Sequence, residues 1–187
     1  MIPVVTRLRD GHDWLRVADP SWSDPLDPTY AADHGGRWNP PGSFPTLYLN
    51  EDLGTARAQV LKLLEGSPVE PEDLDPGFDL VVANLPTAQD VADAASDPGL
   101  RALGLPETYP VHGNGRPVRH ETCQPVGAKV HSADLRGVRA RSAATADRTG
   151  HELAWFPARV SSRASMVTRL DFDGWWYRSE AGRQMFP

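Results

Sequence analysis

The sequence has little cysteine, no long apolar run and no excess of basic residues. Its single cysteine, Cys123, excludes an intrachain disulfide framework and fits a reducing compartment. No stretch approaches the roughly 20 apolar residues of a membrane span, and the first residues lack the apolar core of a secretory signal. The net charge of −6 argues against a general nucleic-acid or membrane surface, since both are polyanions. We therefore expect a soluble, cytoplasmic protein that binds neither partner directly.

The sequence also gives little support to metal or hydrolase chemistry. None of the six histidines forms a His-x-x-x-His pair, and no cysteine cluster accompanies them, so we expect no metal site. A Ser142, His151 and Asp147 triad can be drawn, but no nucleophile elbow surrounds the serine. Cys123 lies in a predicted helix, where a lone thiol is expected to be buried rather than nucleophilic.

The chain is rich in proline and glycine, with 18 and 16 residues, which divide it into short elements. We expect a single domain over 1–187, in which 158–187 adds a C-terminal strand and an aromatic segment. Apolar and alternating patterns predict strands at 45–49, 78–85, 137–142, 151–156 and 166–172. Helices are predicted after residue 50, as one or two short helices within 88–104, and at 121–133. Strands outnumber helices without regular alternation, which favours an α+β fold.

The helix after residue 50 has clear signals. Asn50 is expected to cap it and Gly66 to end it. Residues at helical spacing make its core face, namely Leu53, Ala56, Val60 and Leu64. Gln59 falls at the edge of this face.

The aromatic cluster at 174–178, which includes Trp175, allows two interpretations. It could form an interaction surface, or it could clamp the end of the chain to the core.

The most informative segment is 35–42, which reads Gly-Gly-Arg-Trp-Asn-Pro-Pro-Gly. Arg37, Tyr48 and Gln59 follow one another at equal separations of 11 residues, on a predicted loop, strand and helix. Side chains from different elements that converge on one cleft are typical of a small-molecule site. Turn chemistry alone also explains the glycines and prolines, so a purely structural loop in an unrelated domain remains an alternative.

Together these segments resemble the RES domain, named for its arginine, glutamate and serine, the toxin half of a family of bacterial toxin–antitoxin systems. Five segments carry the resemblance, at 36–42, 47–49, 55–60, 141–144 and 152–156. Residues 14–17 are similar to the family's opening aromatic–arginine motif, and the match covers roughly 14–157. The resemblance implies an ADP-ribosyltransferase-like split sheet, mixed or antiparallel, with flanking helices.

The resemblance also implies an activity. RES proteins consume NAD by hydrolysis, by phosphorolysis or by ADP-ribosyl transfer to a protein, so cleavage at the nicotinamide–ribose bond is expected. NAD is then the substrate, and neither a metal nor a tightly bound cofactor is implied. A cognate helix-turn-helix antitoxin that covers the site is expected as partner, often in a higher-order complex.

Site residues follow from the same resemblance. Arg37 and Arg16 are expected to anchor phosphate or ribose, because a guanidinium group can bind a pyrophosphate in bidentate fashion. Tyr48 would present its ring to the nicotinamide, Ser142 would bond the catalytic side chain or the ribose, and Trp38 would add to the binding surface. Each has a structural alternative: a surface ion pair for the arginines, core packing for the tyrosine and a turn for the serine.

The sequence departs from the family at one site residue, since Gln59 stands where the family has its glutamate. Cleavage develops oxocarbenium-like charge on the ribose, which a fixed carboxylate stabilises in the transition state. Losing one such group typically costs about a hundred- to a thousandfold in rate. Neighbouring acids on the helix, such as Glu65, point to another face.

Two interpretations of Gln59 stay open. The natural protein is a weakened or silent member that binds NAD or an antitoxin, or the glutamine was introduced to make a toxic enzyme tolerable.

Overall fold

The computed structural model describes residues 2–86, 89–145, 149–158 and 162–178. Within this part, the strands are β1 (Val5–Arg7), β2 (Trp14–Ala18), β3 (Leu47–Asn50), β4 (Asp79–Asn84), β5 (Asp90–Ala94), β6 (Gly137–Arg141), β7 (His151–Trp155) and β8 (Ser165–Leu170). The α-helices are α1 (Thr29–His34), α2 (Leu53–Leu63), α3 (Asp97–Leu103), α4 (His120–Ser132) and α5 (Phe172–Trp176). The expected α+β class is confirmed.

The strands form one sheet in the order β1-β5-β6-β7-β3-β2-β4-β8. Neighbours run antiparallel except β5 and β6, which are parallel. The joint between β3 and β2 is narrow, because its register contains only the pair of Leu15 and Asn50. The sheet is therefore continuous but nearly divided into a five-stranded and a three-stranded part, and this joint corresponds to the split that the resemblance implies.

Helix α2 packs on the three-stranded part. Its residues Leu53, Ala56 and Val60 are buried, as their spacing predicts, in a cluster that includes Leu15 of β2. The expected N-cap was wrong: Asp52, not Asn50, caps the helix by accepting a hydrogen bond from the Thr55 backbone nitrogen at 2.7 Å. Asn50 is the last residue of β3, which leaves its side chain free for another contact.

The prediction of one or two short helices within 88–104 is confirmed for one helix, α3, but the first part of this range is a strand. Strand β5 occupies Asp90–Ala94 before α3 begins, and it pairs with β1 and β6. Its alanines and aspartates are poor strand formers, so the local sequence favours a helix there, and tertiary pairing overrides this preference. Helix α3 is capped by Ser96 and ends at Gly104, whose φ of 72° is readily accepted only by glycine.

The other predicted elements are confirmed with small shifts at their ends. The strands correspond to β3, β4, β6, β7 and β8, and the helix at 121–133 to α4. No described helix has the length and apolar character needed to cross a membrane. Trp175 of α5 is fully buried and its ring nitrogen donates to the Phe78 carbonyl at 2.8 Å, so this residue of the C-terminal aromatic cluster packs into the core.

Candidate active site

A cavity of about 630 Å³ lies where β2 and β3 diverge. Its volume falls within the range of roughly 300–1,000 Å³ that is usual for small-molecule sites. Five of the six predicted site residues line it together, namely Arg16, Arg37, Tyr48, Gln59 and Ser142. They come from β2, the 35–42 loop, β3, α2 and the end of β6, so the narrow joint in the sheet creates the space they share.

Tyr48 holds the 35–42 loop against β3. Its hydroxyl accepts a hydrogen bond from the Trp38 backbone nitrogen at 2.9 Å and donates one to Asn39 Oδ1 at 2.8 Å. The tyrosine ring lies so close to Gly36 that a Cβ there would overlap the phenol oxygen. Helix α4 contacts the same loop, because the Gln124 side chain donates to the Gly36 carbonyl at 3.0 Å. The loop is therefore fixed from two sides before any ligand arrives.

Trp38, the sixth predicted site residue, is not among the residues that line the cavity. The side chain is fully buried in the core cluster behind the loop, with its ring 5.9 Å from that of Tyr109. Helix α4 approaches this residue so closely that a Cβ at Gly127 would overlap the Trp38 carbonyl. The physical reason is that the ring anchors the loop to the core, which turns Arg37 towards the cavity.

The hydroxyl of Tyr48 stays protonated. Burial raises its pKa, and the hydrogen bonds with Trp38 and Asn39 oppose this shift only partly. Tyr48 can therefore offer a ring face and a neutral anchor to the cavity, but not a general base.

Arg37 is a partly buried cation with protein partners. Its Nη1 donates to the Val118 carbonyl at 2.9 Å. Burial favours the neutral form, but the nearby Tyr109 and Glu152 outweigh this and raise the pKa of the guanidinium. Arg37 is thus charged at every physiological pH.

Arg16 is also partly buried, and one nitrogen of its guanidinium group has no hydrogen-bond partner among the described residues. Burial lowers its pKa to about 10, against the opposing effect of Asp24 and Asp27, so it remains charged at neutral pH. Its Nη1 is buried without a hydrogen-bond partner among the described residues, and its guanidinium carbon lies 5.3 Å from the centre of the Trp22 ring. A buried donor without a partner is costly, and an anionic ligand in the cavity would satisfy it.

Gln59 projects from α2 to the cavity and is held by β3. Its Oε1 accepts a hydrogen bond from Asn50 Nδ2 at 2.6 Å. A glutamate carboxylate could accept the same bond with a side chain of nearly the same volume. The local structure therefore suits either residue, and only the charge would differ.

The cavity is also lined by a carboxylate, Glu152, that was not among the predicted site residues. Glu152 of β7 lies opposite Asn50 of β3 and opposite Ala140 of β6. Directly paired residues of antiparallel strands share a face of the sheet, so Glu152 is on the same face as Tyr48 and Ser142. The sequence contains one signal that could have found Glu152. Side chains alternate between the two faces of a strand, so in the predicted strand 151–156 the charged Glu152 lies on the same face as the apolar Ala154.

The Glu152 carboxyl has an unusual environment. Burial raises its pKa, while the Arg37 charge and hydrogen bonds from the Ser142 hydroxyl and the Ala143 backbone nitrogen act against this shift. Ser142 is only 1% exposed, and its backbone nitrogen donates to the Gly150 carbonyl at 2.8 Å. The serine is therefore fixed beside the carboxylate.

The cavity also contains His120, which the sequence analysis treated only as a failed metal ligand. It is the first residue of α4 and lines the cavity. Burial, assisted by the Arg37 charge, lowers its pKa. The imidazole is therefore neutral at pH 7 and can both donate and accept a hydrogen bond.

The hydrolase and metal alternatives gain no support. His151 does not line the cavity and instead lies 3.7 Å from Glu51, while Asp147 lies outside the described residues. Within the described ranges, no group of three or more His, Cys, Asp or Glu side chains could hold a metal ion. Cys123 is buried, as expected.

The fold and the cavity define the class of this protein, an α+β domain with a cavity lined by two partly buried arginines. The family model of the RES domain matches residues 5–177. The chain therefore belongs to the RES domain family.

One solved structure shows the same fold. A chain from the crystal structure of the M. tuberculosis MbcT–MbcA toxin–antitoxin complex superposes with a TM-score of 0.70, covering 88% of this chain and 86% of that one. The two sequences are 21% identical, so this similarity establishes the fold alone. No curated protein sequence matches the chain significantly.

Proposed function

We propose that this protein is the toxin of a toxin–antitoxin pair and that it cleaves NAD at the nicotinamide–ribose bond. The observation that carries the proposal is the RES-domain cavity in which Arg16 and Arg37 face the same space as Tyr48 and Ser142. The antitoxin part rests on the shared fold with a chain from a toxin–antitoxin complex. As the resemblance to the RES family implies, the partner would be a helix-turn-helix protein that covers the cavity.

The charges of the cavity suit a dinucleotide. The pyrophosphate of NAD carries negative charge, and Arg16 has a buried N–H group in need of an acceptor. Lys62 of α2 adds a further cation to the lining. Arg37, already bonded to Val118, would bind phosphate or ribose with its remaining donors.

The proposed reaction breaks one bond and forms another. Nicotinamide leaves with the electron pair of its bond to the ribose, and the electron-poor sugar carbon is captured by water, phosphate or a protein nucleophile. The Tyr48 ring would cover the nicotinamide and exclude water from it. Gln59 can bond a ribose hydroxyl but has no charge, so cleavage should be slower than with glutamate at this position.

Gln59 also favours a second candidate function, a silent module that binds NAD or an antitoxin. The anchoring residues of such a module would be intact, while the α2 side chain beside the ribose lacks the charge that cleavage requires.

One paired experiment separates the two candidates. NAD is incubated with the purified protein and with Gln59→Glu, with and without inorganic phosphate, and released nicotinamide is measured by proton NMR. Nicotinamide release by the parent supports the enzyme, and its dependence on phosphate identifies the acceptor. Calorimetric NAD binding without release by the parent would instead support the silent module, whether or not Gln59→Glu cleaves. No NAD binding to either protein would contradict both the enzyme and an NAD-binding module.

A further inference from the structure

We propose that Glu152 supplies the negative charge that stabilises the ribose cation in this protein. The inference rests on NAD cleavage as the proposed function. Among the described residues that line the cavity, the carboxylates are Asp27 and Glu152. Asp27 is occupied by Thr29, whose backbone nitrogen and hydroxyl donate to it at 2.9 and 2.8 Å. Glu152 also accepts hydrogen bonds, but of the two carboxylates it is the one that pairs in register with Asn50, whose side chain contacts Gln59.

The pairing of β3 with β7 places Glu152 close to the uncharged side chain of Gln59. Asn50 lies between them, because its side chain donates to Gln59 and its backbone position pairs with Glu152 across β3 and β7. Directly opposite residues of an antiparallel pair have Cβ atoms about 4.5–5.5 Å apart. In this protein the carboxylate thus lies on strand β7 instead of helix α2, and it faces the same cavity.

The contacts of Glu152 leave room for a substrate. A carboxylate has about four acceptor positions, and its hydrogen-bond donors here are the Ser142 hydroxyl, the Ala143 backbone nitrogen and the Trp38 ring. The residue lines the cavity. A carboxylate fixed in this way needs no reorganisation when positive charge develops on the ribose.

Glu152 also has a purely structural alternative, as the counterion of buried Arg37. A counterion stabilises Arg37 whatever residue stands at position 59. A charge that acts on the ribose becomes less important once a glutamate at 59 can do the same. The two roles therefore differ in how the substitutions combine.

The test is a double-mutant cycle. Single-turnover rates of NAD cleavage are measured for the parent, Glu152→Gln, Gln59→Glu and the double variant. We expect Glu152→Gln to slow the parent by about a hundredfold or more, as removal of one preorganised electrostatic group does, and to slow Gln59→Glu much less. An equal loss in both backgrounds would assign Glu152 to the structural role and overturn the inference.

The equal loss leaves the proposed function standing, so it separates the failure of this inference from the failure of that function. Cleavage by Gln59→Glu but not by the parent would overturn the role of Glu152 and assign the parent to the silent module. Cleavage by neither protein would overturn the proposed function itself.

Controls address folding. Glu107→Gln removes a carboxylate that forms an exposed ion pair with Arg101, outside the cavity, and should leave the rate unchanged. Circular dichroism and melting temperature report whether each variant folds. Should Glu152→Gln not fold, Glu152→Asp keeps the counterion of Arg37 but withdraws the charge by one methylene. We expect this variant to bind NAD with affinity near that of the parent and to cleave it more slowly, and an unchanged rate would overturn the inference.

Discussion

Arg16 and Arg37 are both partly buried, but their surroundings suit different tasks. Arg37 bonds the Val118 carbonyl and faces Glu152, so its charge is part of the protein's own balance. Arg16 has a buried nitrogen without a partner among the described residues. A buried polar group that has no hydrogen-bond partner in the folded protein is more informative about a ligand than one whose partners are already present.

Arg16→Met should therefore weaken NAD binding more than it weakens the fold. The substitution removes a charge-assisted hydrogen bond, for which about 1.5–3 kcal/mol is usual, so affinity should fall roughly 10- to 150-fold. The melting temperature of the NAD-free protein should not fall, because an unpaired buried donor is removed. Calorimetry and thermal unfolding measure the two effects, and an unchanged affinity would make Arg16 a structural residue.

The rate of NAD cleavage should change with pH as the Glu152 carboxyl ionises. Burial raises its pKa above the ordinary value of 4.5, and the charged form is the one that stabilises a cation. As the pH falls through this raised pKa, the carboxylate is protonated and the rate should fall. The acid limb of the single-turnover rate should thus have a midpoint above 4.5 in the parent. A rate that is flat down to that pH would contradict the prediction.

At the scale of elements, helix α4 and the 35–42 loop form one packed unit. The loop positions Arg37, and the helix supports the loop through Gln124 and through the close approach at Gly127. His120, at the start of α4, lines the cavity as well. A substitution that disturbs this packing should therefore affect the cavity even though it replaces none of the residues that line it.

Gly127→Ala tests this unit. The new methyl group would overlap the Trp38 carbonyl, and overpacking of a filled core costs about 1–3 kcal/mol, occasionally more. We expect a lower melting temperature and weaker NAD binding. Gly113→Ala is the matched control, since a Cβ there has no atom within 4 Å. Equal melting temperatures for the two variants would contradict the close packing.

The elements also show what the sequence can predict. Period and turn chemistry found β3, β4, β6, β7, β8 and α4, because each carries its own apolar pattern. Strand β5 was missed, since its pairing with β1 and β6 depends on contacts distant in sequence. The even spacing of Arg37, Tyr48 and Gln59 pointed to residues that share a cavity. Glu152 is brought to the same cavity by the pairing register of its strand, which a single sequence does not specify.

At the scale of the whole molecule, the narrow joint in the sheet organises the site. A fully paired β2 and β3 would have no space between them, whereas the single pair at Leu15 and Asn50 lets the strands diverge. The net charge of −6 contrasts with the arginines inside the cavity. The protein can thus attract an anion locally while its overall charge disfavours general binding to polyanions.

Cellular toxicity is the whole-molecule consequence of the proposed function. If the cavity cleaves NAD, induced expression in bacteria without an antitoxin should lower cellular NAD and arrest growth. Gln59→Glu should act faster than the parent, because the Asn50 contact can hold a carboxylate at position 59 without rearrangement. Adding Arg37→Ala should relieve the arrest, since it removes a cation that faces the site.

Growth curves and NAD extracted at fixed times measure both effects, with matched expression confirmed by immunoblot. A folded Gln59→Glu protein that left growth and NAD unchanged would contradict the enzymatic proposal, and the silent binding module would then explain the cavity.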